Sequence, residues 1–238
     1  RAKSLIIREK LVEGFKKGIV VPEGLIAHGR GEAFDYLLGE RTTKYAYDAE
    51  KAAVCLLLLS NESIISINGN TAALCARDLV ILSNHTKSGI EVNLFHKSTA
   101  RSNAIAKILR KEDATEVLGL DTKLKSIIND ISSNRRYVDK NGIMKSDTIF
   151  VALEDGDRTE SLVKMGKQVI SVDLNPLSRT AMASDVTIVD NIVRAIPNMI
   201  KISEQLVKRD KSYLLQQIKN FDNKENMHKS LLLIRRGI

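Results

Sequence analysis

The feature that most constrains this chain is an alternation, beginning near residue 61, of short apolar runs with stretches of helical period. Ile64–Ile67, Glu91–Phe95, Thr115–Leu118, Thr148–Leu153, Gln168–Val172 and Val186–Val189 have the length and apolar content of strands. Residues 71–83, 100–110, 159–165 and 178–183 fall between them and read as helices. Alternating strands and helices build βα units, and βα units build a parallel sheet. Several runs are apolar at consecutive positions, as strands are when helices cover both faces. The predicted fold class is α/β, with a mostly parallel sheet flanked by helices and with helical N-terminal and C-terminal segments.

The flanks are helical in pattern. Residues 4–17 read as an amphipathic helix on which Leu5, Val12 and Phe15 share a stripe. Arg8 falls on that stripe, where a charge either meets a partner or ligand or snorkels past the core edge. Residues 24–41 open on the glycine-rich run Gly24–Glu32, and a short helix is expected from there as far as Leu38. Residues 43–60 read as a long, nearly buried helix with Thr42 or Thr43 as its N-cap. Residues 194–238 are helical and charged, and suit a capping subdomain or a dimer contact. One domain is expected over residues 1–238, divided into a helical part (1–60), a βα core (61–193) and a helical C-terminal part (194–238).

Composition narrows the function. Only 4% of residues are aromatic and none is Trp, so the core must be built from Ile, Leu, Val and Ala. The net charge of +8 is scattered rather than gathered in a basic stripe with aromatics, the signature of a nucleic-acid binder. No nucleic-acid partner and no membrane partner is expected, since no run approaches the roughly 18 apolar residues of a membrane span. Cytoplasmic location is the default. Cys55 and Cys75 lack metal-ligand spacing and read as small buried hydrophobes.

Ligands of open α/β sheets bind beyond the carboxyl ends of the strands. The turn after each predicted strand is therefore a candidate ligand contact. Asn68-Gly69-Asn70 reads equally as a turn or as a substrate contact. Lys97 and Arg101 lie four apart at a helix start, the makings of a phosphate site or of a solvated face. Glu154, Asp155 and Asp157 suit either Mg²⁺ or helix capping; Asp157 reads as the cap and the other two stay open. Asp173 ends a strand, where a carboxylate accepts ribose hydroxyls or shapes a turn, and Arg179-Thr180 start the next helix. Arg30 lies between two glycines, which lets its backbone approach a ligand closely. His28 is a base or a structural histidine. No P-loop, G-x-G-x-x-G, G-x-S-x-G or H-E-x-x-H motif is present, which weighs against common nucleotide kinases, dehydrogenases, hydrolases and zincins. These residues by themselves define a phosphate-binding α/β enzyme.

Several longer motifs carry a resemblance. They are Gly24-Leu-Ile-Ala-His-Gly-Arg-Gly-Glu-Ala-Phe-Asp-Tyr-Leu-Leu-Gly-Glu40, Ser66-Ile-Asn-Gly-Asn-Thr-Ala-Ala-Leu74, Leu153-Glu-Asp-Gly-Asp-Arg-Thr-Glu160, Asp173-Leu-Asn-Pro-Leu-Ser-Arg-Thr180 and Ile188-Val-Asp-Asn-Ile-Val-Arg194. Together they resemble the archaeal phosphopantothenate synthetase family, also called 4-phosphopantoate–β-alanine ligase. The resemblance implies ATP-dependent joining of 4-phosphopantoate to β-alanine in coenzyme A synthesis, with AMP and pyrophosphate released. It also implies a Rossmann-like core and a homodimer. Carried over by motif, the ATP contacts would be Arg8, Arg30, Asp173, Leu174, Asn175, Arg179, Thr180, Asn191 and Ile192. The chain departs from the family pattern at His96-Lys97.

The mechanism this requires is attack of the pantoate carboxylate on the α-phosphorus of ATP, then attack of the β-alanine amine on the acyl-adenylate. Arg30 and Arg179, with Mg²⁺, are the candidates for catalytic charge stabilisation. Asn68, Asn70, Lys97 and Arg101 are the candidates for the acid substrate, the two cations from position and charge. The competing expectations are an ATP-dependent ligase or kinase acting on another phosphorylated acid, and a nucleotide-binding sensor.

Overall fold

The computed structural model describes residues 2–121 and 123–236. Helices α1 (Ala2–Lys16), α2 (Pro22–Leu37) and α3 (Lys44–Leu59) precede β1 (Ser63–Ile67), α4 (Gly69–Thr86), β2 (Gly89–Val92) and α5 (Thr99–Lys111). A hairpin of β3 (Lys125–Ile127) and β4 (Tyr137–Asp139) comes next. Then come β5 (Thr148–Ala152), α6 (Gly156–Lys164), β6 (Gln168–Val172), α7 (Arg179–Ala183) and β7 (Val186–Ile188). The chain ends in α8 (Ile192–Leu206), α9 (Lys211–Lys219) and α10 (Asn223–Arg236).

Five strands form the main sheet in the order β2-β1-β5-β6-β7, and every neighbouring pair is parallel. The α/β class is as the strand–helix alternation predicts. Strand side chains divide with period two. Ile65, Ile67, Phe150, Ala152, Ile170 and Val172 face one core with α3, α4 and α8. Ile64, Ile149, Val151 and Val169 face the other, with Leu162 of α6 and Ile128, Ile131, Val138 and Ile143 around the hairpin. A strand with both faces covered cannot alternate polar and apolar residues, which is why these runs look continuous in the sequence. Among the described residues no helix is long and apolar enough to cross a membrane.

The structure departs from the sequence expectations at four places. Thr115–Leu118 forms only a single bridge to β2, from Leu118 to Glu91. The chain then turns away at Gly119 (φ +84°), whose N–H donates to Asp139 Oδ2. β2 stops at Val92 rather than Phe95: Asn93 N–H still donates to Ile67 O, but β1 ends at Ile67 and offers no further partner. The β3–β4 hairpin is additional to the expected strands; three-residue strands carry too little periodicity to read. Gly24–Glu32 is neither loop nor glycine-rich turn but the body of α2, started by Pro22 at its first turn. Its polar face, His28, Glu32 and Asp35 at i, i+4 and i+7, is buried, and packing outweighs the helix cost of three glycines.

Candidate active site

All five strands point the same way, so their carboxyl ends form one edge. Over β5, β6 and β7 that edge opens into a cleft of about 660 Å³ roofed by α2. It is lined by Arg30 and Phe34 from α2, Leu153–Gly156 after β5, Asp173–Asn175 after β6, Ser178–Thr180, and Asp190–Ile192 after β7. Arg30 reaches it from within a helix, so the flanking glycines do not serve as a loop; a Cβ on Gly31 would rest 3.5 Å from Leu174 Cδ1. Gly156 has a firmer reason: a Cβ there would stand 2.4 Å from that of Arg179, so α6 and α7 can start side by side only if it is absent. Leu153, between β5 and the cleft, is held at φ +52°, a strained conformation for a branched residue.

The polar groups are fixed by their neighbours. Asp173 accepts from Asn175 N at 2.9 Å and from Ser178 Oγ, and burial pushes its carboxyl above the usual range. Ser178 caps α7, and Thr180 Oγ1 donates to Glu154 O. Asn191 caps α8, and its Nδ2 donates to Asp35 Oδ2 at 2.9 Å. Asp35 is in turn gripped by Arg194, which also pairs with Asp190. Arg179 is exposed and pairs with Asp157 at 2.6 Å and Glu160 at 3.1 Å.

The expected site residues separate into two groups and one outlier. Arg30, Asp173, Leu174, Asn175, Arg179, Thr180, Asn191 and Ile192 all line the cleft. Arg8 lies on α1 and pairs with Glu32 at 3.0 Å and Tyr36 Oη at 2.7 Å on the flank of α2. Asn68, Asn70, Lys97 and Arg101 lie over the β1–β2 half of the edge. Asn68 caps α4 in a capping box with Thr71 and donates to Ala152 O. Asn70 donates to Gly24 O. Lys97 Nζ donates to Gly119 O, and burial lowers its pKa. Arg101 Nε donates to Ile19 O at 2.7 Å.

The carboxylates after β5 take roles other than those expected. Asp155, not Asp157, caps α6 by accepting from Arg158 N. Glu154 is buried between Arg135 and Arg158 and pairs with both. Arg158 also donates to Ser66 Oγ from a fully buried position. Sequence reasoning missed both arginines. The i,i+4 spacing of Glu154 and Arg158 was available, but Arg135 lies in a turn with no pattern. Among the described residues no three Asp, Glu, His or Cys side chains gather as a metal site. Asp155 Oδ2 is the cleft carboxylate oxygen that has no hydrogen bond among the described residues.

Fold and cleft define an α/β protein with cationic and amide groups arrayed on the carboxyl edge of a parallel sheet. Residues 45–237 match the phosphopantothenate/pantothenate synthetase family model. The chain is 48% identical to a 4-phosphopantoate–β-alanine ligase of Thermococcus onnurineus, covering 98% of this chain and 88% of that one. It is 47% identical to the ligases of the same name from Thermococcus kodakarensis (98% and 88% covered) and Methanosarcina mazei (97% and 90%). The chain belongs to the phosphopantothenate/pantothenate synthetase family.

Proposed function

We propose that this protein joins 4-phosphopantoate to β-alanine at the expense of ATP, giving 4′-phosphopantothenate, AMP and pyrophosphate for coenzyme A synthesis. One observation carries the reading. Eight of the nine residues that the motifs assign to ATP line a single cleft on the sheet edge where α/β proteins hold nucleotides. The relatives' names supply the acid and the amine.

The chain's own residues have defined tasks in this reading. Asp173 accepts the ribose hydroxyls, with its carboxylate already oriented by Asn175 and Ser178. Arg30 and Arg179 neutralise charge on the phosphate oxygens as the carboxylate of the acid meets the α-phosphorus and pyrophosphate leaves. Arg179 must exchange Asp157 and Glu160 for the nucleotide; exposed pairs are weak, so the exchange costs little. The amine, once it has lost its proton, attacks the acyl carbon and AMP departs. Mg²⁺ would supply further neutralisation of the phosphate charge, and Asp155, whose Oδ2 accepts no hydrogen bond among the described residues, is the cleft carboxylate that would hold it. Catalysis here is alignment and charge neutralisation rather than covalent participation by the protein.

The protein acts in the cytoplasm as a homodimer in this reading. Leu5, Val12 and Phe15 of α1 are exposed on the face that carries Arg8, an apolar stripe suited to burial against a second copy. The test of function is a product assay with Mg-ATP, 4-phosphopantoate and β-alanine. AMP that appears only when both co-substrates are present is the expected result. ADP would replace the adenylate route, and no nucleotide consumption would remove the ligase reading.

A further inference from the structure

We infer that His28 is a catalytic residue of the amide-forming step, the base whose Nε2 takes a proton from the ammonium of the amine substrate. The inference rests on the ligase reading above, in which the amine must lose a proton before it can attack.

His28 stands on α2 between two cavities. Ala27, Arg30 and Phe34 of that helix line the cleft over β5, β6 and β7. Glu32 and Asp35, one and two turns beyond His28, line a second cavity of about 330 Å³, walled also by Ile7 of α1 and Arg194 of α8. His28 lines both cavities, and so does Asn191 at the cap of α8. The imidazole is thus part of the partition between them. An acyl-adenylate in the cleft and an amine in the side cavity adjoin along that partition. At roughly 30 Å³ per water, the side cavity has room for about ten waters, ample for a three-carbon amino acid.

The second observation is the state of the ring. His28 is 8% exposed, and its Nε2 has no hydrogen-bond partner among the described residues. A buried ring nitrogen left open costs free energy and calls for a functional account. The neighbouring cleft carboxylates are committed: Asp173 to Asn175 and Ser178, Asp190 to Thr42 and Arg194, Glu154 to two arginines. The charges around His28 are Glu32 and Asp35 on its own helix and Arg8 on α1, with Lys3, Glu40 and Arg194 on the side cavity. Burial lowers the His28 pKa, Glu32 opposes it, Arg8 reinforces it and Asp35 opposes it. The ring is therefore neutral near neutral pH and has a lone pair to offer. Once it is protonated, Glu32 and Asp35 stabilise the imidazolium.

An ammonium N–H bond breaks, its proton passes to Nε2, and the electron pair stays on nitrogen. That pair forms the C–N bond at the acyl carbon. The C–O bond to AMP breaks, and its electrons go to the phosphate oxygen. The nitrogen's second surplus proton and the proton on Nε2 leave to solvent.

The experiment separates the two half-reactions in the full chain, for wild type, His28→Ala and His28→Gln. Exchange of labelled pyrophosphate into ATP, with 4-phosphopantoate and without β-alanine, reads adenylate formation alone. It should stay within a few-fold of wild type in both variants. The rate of 4′-phosphopantothenate formation from β-alanine should fall about a hundredfold or more, the scale of a lost general base. In the variants that rate should climb with pH in proportion to the free amine. Hydroxylamine, already neutral at the assay pH, should form the hydroxamate at a near wild-type rate in all three proteins. Imidazole added to His28→Ala should restore part of the β-alanine rate. A folded variant with an unchanged β-alanine rate overturns the proposal. So does an equal loss with exchange, β-alanine and hydroxylamine, the outcome of a purely structural role. If His28→Ala fails to fold, His28→Gln decides on the exchange, β-alanine and hydroxylamine readouts. A wild type that shows neither exchange nor AMP formation would remove the ligase reading, and this inference with it.

Discussion

The two halves of the sheet edge hold their cations in opposite ways. Over β5, β6 and β7, Arg30 and Arg179 are exposed, and Arg179 is held only by surface carboxylates. Over β2 and β1, Lys97 and Arg101 are half-buried and already bonded to backbone carbonyls, and at the junction with β5 Arg135 and Arg158 are buried against Glu154. The exposed half can rearrange around a large ligand at low cost. The buried half is preorganised, so it can discriminate but cannot adapt.

Four measurements break or sharpen that contrast. The largest effect should come from Glu154→Gln, which leaves two buried guanidiniums without their carboxylate. It should cost about 3–5 kcal/mol in urea unfolding, whereas Asp157→Asn on the exposed half should leave stability nearly unchanged. Equal, small losses from both would erase the distinction. Next, Arg30→Ala should lower kcat/KM about a hundredfold, or about 3 kcal/mol of transition-state stabilisation, with the melting temperature retained. A near-normal kcat/KM would remove Arg30 from the site.

The third concerns pH. Each half rests on a buried carboxylate whose pKa burial raises: Glu91 beside β4, to about 7 even though Asp139 N and Ile143 N donate to it, and Glu50 behind β7, to about 9. A carboxyl whose folded pKa is above its unfolded value binds more protons when folded. Its contribution to stability is full below pH of about 4.5 and is lost as pH rises toward the folded value. The Glu91 contribution should therefore vanish by about pH 7 and that of Glu50 only by about pH 9. Glu50→Gln should gain melting temperature over wild type as pH is raised from about 5 to about 8.5, the window between the unfolded and folded values. A constant difference across that range would show that Glu50 is ionised throughout. The smallest effect is expected from Asp157→Asn with Glu160→Gln. Freeing Arg179 should tighten ATP binding only a few-fold, read by calorimetry, and weaker binding would mean that the pair positions Arg179 rather than competes for it.

The strands of the main sheet are legible because they are short runs rich in Ile and Val, and burial on both faces favours that composition; β3 and β4 are too short to read, and Thr115–Leu118 reads as a strand but makes a single bridge. Thr43 as the cap of α3 is legible for a local reason, since its side-chain oxygen stands three residues before an open N–H, whereas Asn68, read as a turn or a substrate contact, proves to cap α4. The cleft residues after β5, β6 and β7 can be found because a parallel sheet must place those turns together. Gly24–Glu32 misleads because three glycines argue against a helix locally, while the burial of His28, Glu32 and Asp35 that outweighs them is a tertiary fact.

Sequence by itself therefore determined the sheet, its direction and which turns share an edge, since these depend on periodicity and on the way βα units must close. Only the tertiary structure decided which charges on that edge are spent and which remain open. That Glu154 holds Arg135 as well as Arg158, and that Asp155 rather than Asp157 is turned toward the end of α6, follow from packing that brings residues 135 and 154 together across the fold. The worth of a charge is set by its burial and its partners, and neither has a local signature.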